Sequence, residues 1–356
     1  MSPPREGILA QRSLTECARV VAGHPRHTKT ITANWEAAGD GTMTTISEEA
    51  QVQKAVKPRV RRRKGMLALA AEFLVFTLPL LVFLGILYGT LVWNFYVSMA
   101  NWVATAPDYT FTGLKWYAYL FHQARFWIDV GNNLRWLILA VLPTAVMAIF
   151  LAYLLELAPF PGVEAYVRTL ILYPVAMSFV VTGTIWSWMY QPDKGVFNSI
   201  LHSIGINSPF TFTNNPDTAT YWLIVIFIWQ YLGFSVIIIQ SSFRTTELQE
   251  MIEAALVDGA SRLRILFAVI IPNIRSGILV LVSLLLISSL KVFDIVWIVT
   301  RGGPGVATDV LATNMIVTTY DQRLASAGAA IGVIIFLIAF ILVIPYTIYA
   351  LRKWFE

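Results

Sequence analysis

Lys291 and Asp294 are ionisable residues set in a long apolar stretch, LLLISSLKVFDIVWIV. A charge at mid-bilayer costs about 2.5–3.5 kcal/mol on insertion scales, so such residues call for an account. Spaced three apart, they would share one face of a helix and could pair. One reading is a structural ion pair, with Lys291 reaching outward along its aliphatic stem. The other is a polar wall along a path for solute. Ser288 and Ser289 directly precede Lys291, and WQYLGFS supplies Trp229, Gln230, Tyr231, Gly233 and Ser235. Hydroxyl-bonding groups beside flat aromatic faces suit a polyhydroxylated solute in an otherwise apolar cavity. The same small residues, Ser288, Ser289 and Gly233, would equally serve close helix packing.

Other chemistry is missing. His24, His27, His122 and His202 are scattered, and no acid–base or metal-ligand cluster is legible. No phosphate-cradling Gly-rich loop followed by Lys-Ser or Lys-Thr exists, so no ATP hydrolysis and no cofactor are expected in this chain. A proton-coupled carrier would need further acidic residues level with Asp294; Glu156 sits at the opposite end of its segment.

The elements that must position these residues are membrane spans. The chain has 356 residues, 57% hydrophobic and only 13% charged, against about 25% charged in soluble domains. A span needs roughly 20 apolar residues, and six segments qualify: about 67–95, 134–157, 166–190, 220–243, 275–300 and 324–350. Pro79, Pro143, Pro174 and Pro345 lie within or near the ends of four of them, where kinks are expected. The fold class is an all-α integral membrane protein with an even number of spans, so both termini share a side.

Basic residues assign that side. Lys54, Lys57, Arg59, Arg61, Arg62, Arg63 and Lys64 abut the first span. Such a run is a topology signal rather than a nucleic-acid arm. With it inside, Arg168, Arg244, Arg262, Arg264, Arg275, Arg352 and Lys353 are also inside. Only Lys115, Arg125, Arg135, Lys194, Arg301 and Arg323 fall outside. Both termini and the loop 244–275 are therefore expected in the cytoplasm, with the chain multi-pass in its membrane. Residues 1–64 read as a disordered, basic tail, and residues 65–356 as the membrane domain. Met43 opens MTTISEEAQ and offers an alternative start, which would leave residues 1–42 outside the native protein. The lone Cys17 forms no internal disulfide.

Residues 253–272 read EAALVDGASRLRILFAVIIP, a polar stretch between two spans. Thr246 and Gln249 have capping-box spacing, which predicts a helix from Glu247. Gly259 can end it in the left-handed conformation, and Pro272 stops the helix after it. Ala254, Ala255, Gly259 and Ala260 leave room for a close partner, while Glu253 and Asp258 supply anchoring charge. An amphipathic helix lying on the membrane is the plainer alternative.

The pattern of Glu253, Ala254, Ala255, Asp258, Gly259 and Pro272 resembles the signature loop of permease subunits of binding-protein-dependent ABC importers. KVFDIVWIVTRGGPGVAT, with Gly302, Gly303, Pro304 and Gly305, resembles the corresponding stretch of sugar-type, MalF-like permeases in their six-span form. Arg301 departs from the pattern, since relatives often carry a small or polar residue there. The resemblance runs from about residue 70 to residue 352. It implies an ABC importer permease fold in which the 244–275 loop is a coupling helix on an ATPase. It implies these partners: a second permease subunit, two cytoplasmic ATPases that bind ATP and Mg, an extracytoplasmic sugar-binding protein, and surrounding membrane lipid. It also implies a cavity lined by Trp229, Leu232, Gly233, Leu285 and Ser289, with Lys291 and Asp294 as further candidates. An importer for a non-sugar solute and an ion-coupled secondary transporter remain the alternatives.

Overall fold

The computed structural model describes residues 66–157, 161–206, 210–243 and 245–354. The tail 1–64, with its alternative start, lies outside them. The chain divides into two units at Ala70–Ala71, and the second of them, Ala71–Glu356, holds the helix bundle. Among the described residues the secondary structure is helical, apart from one isolated bridge pairing Ala100 with Phe111.

Among the described residues fourteen helices carry the fold. They are α1 Met66–Ser98, α2 Lys115–Phe121, α3 Ala124–Leu139, α4 Val141–Glu156, α5 Pro161–Leu172, α6 Phe179–Met189 and α7 Val196–Ser203. Then come α8 Ala219–Phe243, α9 Thr246–Val257, α10 Arg262–Asn273, α11 Arg275–Leu290, α12 Asp294–Val299, α13 Leu311–Ile316 and α14 Ala325–Trp354. Four stretches are long and apolar enough to cross a bilayer unbroken: Phe73–Ser98, Ala124–Glu156, Ala219–Phe243 and Ala325–Ile344. Two more cross as bent pairs, α5 with α6 at 100° and α10 with α11 at 75°, which makes six spans.

The six expected spans are found, two of them broken. Segment 166–190 is not one helix, because Pro174 sits in a tight 3₁₀ turn and Ser178 restarts the helix by accepting the Val181 amide at 3.3 Å. A break in hydrocarbon leaves carbonyls that water cannot reach. Gln230 of α8 satisfies two of them, donating to Pro174 O at 2.7 Å and Met177 O at 3.0 Å. Thr182 returns a hydrogen bond to Gln230 Oε1 at 2.5 Å. Segment 275–300 is also interrupted, since α11 stops at Leu290 and α12 begins at Asp294.

The core lies between α4 and α8, joined by α6, α11 and α12. Ala145, Ala148 and Ala152 of α4 are buried there, and small residues let membrane helices approach closely. A second cluster joins α2, α3, α13 and α14 through Trp116, Phe126, Leu311 and Ile331. Helix α1 exposes Phe73, Phe76, Phe83 and Ile86, the surface expected of a helix that faces lipid.

Candidate functional site

The interrupted α11–α12 segment opens the polar cleft that carries the two ionisable residues. It has a volume of about 60 Å³ and is lined by Phe179, Phe227, Tyr231, Ser288, Phe293 and their neighbours, together with Lys291 and Asp294. Three rings form a shelf along it: Tyr231 stacks on Phe227 at 4.2 Å and on Phe179 at 5.6 Å between centroids. The Tyr231 hydroxyl lies beside Ser288 and Asp294. Lys291 is exposed, and among the described residues neither it nor Asp294 has a salt-bridge partner. The expected pairing of the two fails for a geometric reason. Lys291 is the C-cap of α11 and Asp294 the first residue of α12, so no continuous helix holds them on one face.

The other expected lining residues sit elsewhere. Leu285 is 1% exposed and Ser289 fully buried, its hydroxyl donating to Leu286 O at 3.0 Å. Gly233 is buried against the backbone of α5, where a Cβ would stand 2.1 Å from Ile171 O. Trp229 is half-buried and meets Trp186 edge-on at 5.6 Å; Leu232 packs on the core. The cleft takes Ser288 instead of Ser289 and Tyr231 instead of Leu232. On a helix one residue is a turn of about 100°, enough to exchange a cavity wall for a core. WQYLGFS and LLLISSLK contain both members of each pair, but nothing in those stretches fixes the rotation of either helix. Phe179, Phe227 and Phe293 have no signal beyond being aromatic.

The second candidate surface is the α9–α10 pair. Helix α9 begins at Thr246, one residue before the expected start, with Thr245 as N-cap. The expected capping box is replaced by a tertiary contact. Gln249 Nε2 donates to Phe243 O at 3.1 Å and to Glu156 Oε1 at 3.2 Å, tying α9 to the ends of α8 and α4. Leu248, Ile252 and Ala255 face inward, the spacing of one helix face. Glu253, Ala254, Asp258, Gly259 and Pro272 are exposed, as are Met251, Leu256 and Val257, the last at 88%. Ala255 and Ala260, both expected to face a partner, pack partly inward instead.

The turn between α9 and α10 is a Schellman motif. The Gly259 amide donates to Leu256 O at 3.1 Å and the Ala260 amide to Ala255 O at 3.0 Å, with Gly259 at φ +73°. Ser261 caps α10 by accepting the Arg264 amide at 3.4 Å. Tyr153 of α4 donates to Arg262 O at 2.8 Å and fixes where α10 starts. Pro272 falls in the last turn of α10, directly before the 75° bend into α11.

A third cluster, with no signal in the sequence, lies at the glycine turn. Gly302 adopts φ +85° at a place where a Cβ would stand 2.9 Å from Asp309 Oδ1. Asp309 is 1% exposed and accepts from Arg125 at 2.6 and 2.5 Å and from the Thr313 hydroxyl. Arg301 stands over the Trp297 ring at 5.0 Å. In the loop after α1, the Thr110 amide and hydroxyl, then Asn101, hold the Asp108 carboxyl below the usual carboxylate range.

Known proteins are similar to this chain in sequence and in fold. The family described as binding-protein-dependent transport system inner membrane component matches residues 133–355. A probable ABC transporter permease protein of Pyrococcus horikoshii is 37% identical over 77% of this chain and 93% of its own length. The glucose import system permease protein GlcT of Saccharolobus solfataricus is 26% identical over 82% and 98%. The trehalose/maltose transport system permease protein MalF of Thermococcus litoralis is 28% identical over 73% and 85%. A crystal structure of a bacterial ABC transporter involved in the import of alginate superposes with a TM-score of 0.69 at 23% identity, over 80% of this chain and 96% of that one. With a family match over most of the chain, a six-span helical fold and the exposed α9–α10 pair, this chain belongs to the binding-protein-dependent ABC transporter permeases of the inner membrane.

Proposed function

We propose that this permease translocates a sugar, delivered by an extracytoplasmic binding protein, through alternating access driven by separate ATPase subunits. ATP and Mg would sit on those ATPases, and this chain would carry neither a cofactor nor a catalytic residue. The charge bias puts α9 and α10 on the cytoplasmic side, where the carboxylates Glu253 and Asp258 and the apolar Leu256 and Val257 offer a mixed docking surface. ATPase closure would push on this pair. Gln249, Tyr153 and the inward face of α9 would pass the movement to α4 and α8. A second permease would complete the cavity. The pair can bias the equilibrium only by docking differently in the two states.

The observation that carries the sugar assignment is the cleft at the α11–α12 break. Its volume of about 60 Å³ is well short of complete small-ligand sites, roughly 300–1,000 Å³, so this chain would supply one wall of the site and the second permease the rest. The cleft combines a stacked aromatic shelf with Ser288, Tyr231, Lys291 and Asp294, which together can donate to and accept from hydroxyl groups. The permeases of glucose and of trehalose/maltose systems among the relatives support the same reading. The test is ATP-dependent uptake of radiolabelled mono- and disaccharides into proteoliposomes that hold the assembled transporter and its binding protein. Accumulation of one sugar only when ATP is inside supports the proposal; uptake of an amino acid, polyamine or phosphate in place of every sugar rejects it.

A further inference from the structure

The α11–α12 break ends at a carbonyl that needs a donor, and the nearby start of α13 has an amide that needs an acceptor. Helix ends leave such groups unpaired within their own helix. One side chain supplies both. Asn133 of α3 donates from Nδ2 to Leu290 O at 3.2 Å and accepts from the Leu311 amide on Oδ1 at 2.9 Å. It is 3% exposed. Leu290 immediately precedes Lys291 on the rim of the cleft, and Leu311 lies just beyond the glycine turn.

The preceding residue repeats the device one step along the turn. Asn132, fully buried, donates to Ala307 O and Asp309 O, each at 2.8 Å, and accepts from Arg135 at 2.8 Å. A carboxylamide is the side-chain group that offers donor and acceptor at this length; a carboxylate offers acceptors alone. In a site closed to water, each lost partner leaves a buried polar group unsatisfied, so these joints hold or break as a whole.

We infer that Asn133 is a positioning residue that locks the rim of the cleft to the glycine turn, so that residues 290–294 and 302–311 move with α3 as one body. Arrival of solute at Lys291 and Asp294 is then felt at the turn, and displacement of the turn reaches the cleft. The alternative is that Asn133 is a local cap and α12 flexes on its own. The inference depends on the chain being an importer permease and is indifferent to its cargo, so failure to find a transported sugar leaves it standing.

Hydrogen exchange on the assembled transporter in lipid nanodiscs tests it, comparing the ADP state with the state trapped by ATP and vanadate. In the wild type, peptides covering residues 287–294 and 300–313 should change protection together. In Asn133→Ala the first should still respond and the second should lose most of its response. Asn133→Leu keeps the volume and removes donor and acceptor together, so it should uncouple the two segments in the same way. Transmission at the wild-type level in either variant overturns the inference. A wild type in which one segment responds alone, or neither responds, overturns it without any variant.

Discussion

Gly233 on α8 passes so close to Ile171 on α5 that a Cβ would stand 2.1 Å from the Ile171 carbonyl oxygen and 2.8 Å from its carbon. The obstacle is backbone, which cannot swing away as a side-chain tip can. Gly233→Ala should therefore force α5 off α8. Overpacking of this kind costs about 1–3 kcal/mol, occasionally more. A lower thermal midpoint and less assembled transporter in the membrane are expected, measured by fluorescence-detected size-exclusion after heating. If the variant assembles and melts like the wild type yet fails to transport, Gly233 touches solute instead.

Gln230 makes a different prediction at the same junction. Replacing it by Leu keeps the volume near constant and strips partners from Pro174 O, Met177 O and the Thr182 hydroxyl. Each buried group left unpaired costs about 1–3 kcal/mol. Gln230→Leu should destabilise more than Gln230→Glu, which in its protonated form can still accept from Thr182 and donate to one of the two carbonyls. Equal thermal midpoints for all three proteins would mean that the α5–α6 break needs no side-chain support.

Gly233 and Gln230 also mark how far a sequence of this kind is legible. Apolar length identifies six crossings, because hydropathy reflects directly what the bilayer excludes. Gly259 is legible as a left-handed stop, since only local backbone geometry is involved, and it is found at φ +73°. Pro174 makes a kink in the third span legible but not its 100° size, and the break after Leu290 has no local signal; both persist because Gln230 and Asn133 arrive from other helices to satisfy the opened carbonyls. For the same reason Ser289 and Leu285, expected as cavity walls, are core. Composition names the helices, but their rotation is set by packing, as at Gly233. Asp309 and Arg125, 184 positions apart, become partners only through the fold.

The docking role of α9 separates from its folding through two substitutions. Glu253→Lys reverses an exposed charge on the outward face of the helix. Gly259→Asp puts a charged side chain at a left-handed position, where Gly259→Asn keeps a residue that tolerates such a φ. Glu253→Lys and Gly259→Asp should abolish uptake while the chain still reaches the membrane; Gly259→Asn should retain most of it. The check is uptake normalised to membrane-inserted protein, with co-purification of the ATPase as a second readout. Normal uptake by both charged variants would remove α9 from the coupling surface.

Lys291 and Asp294 stand without an ion-pair partner among the described residues, on the two sides of a helix break. Since they do not hold the fold together, neutralising them should cost little stability. Hydrogen bonds from charged groups contribute about 1.5–3 kcal/mol, equivalent to roughly 10- to 150-fold in affinity. Asp294→Asn and Lys291→Met should therefore weaken sugar binding to the assembled, ATP–vanadate-trapped transporter by about that range. Thermal midpoint, basal ATPase activity and the affinity of the free binding protein should be unchanged. Equilibrium dialysis with the radiolabelled sugar identified by uptake provides the measurement. A large drop in thermal midpoint instead would return the two residues to a structural role, most simply as partners for charges on the second permease. Unchanged sugar affinity with unchanged stability would move the solute path away from the α11–α12 break altogether.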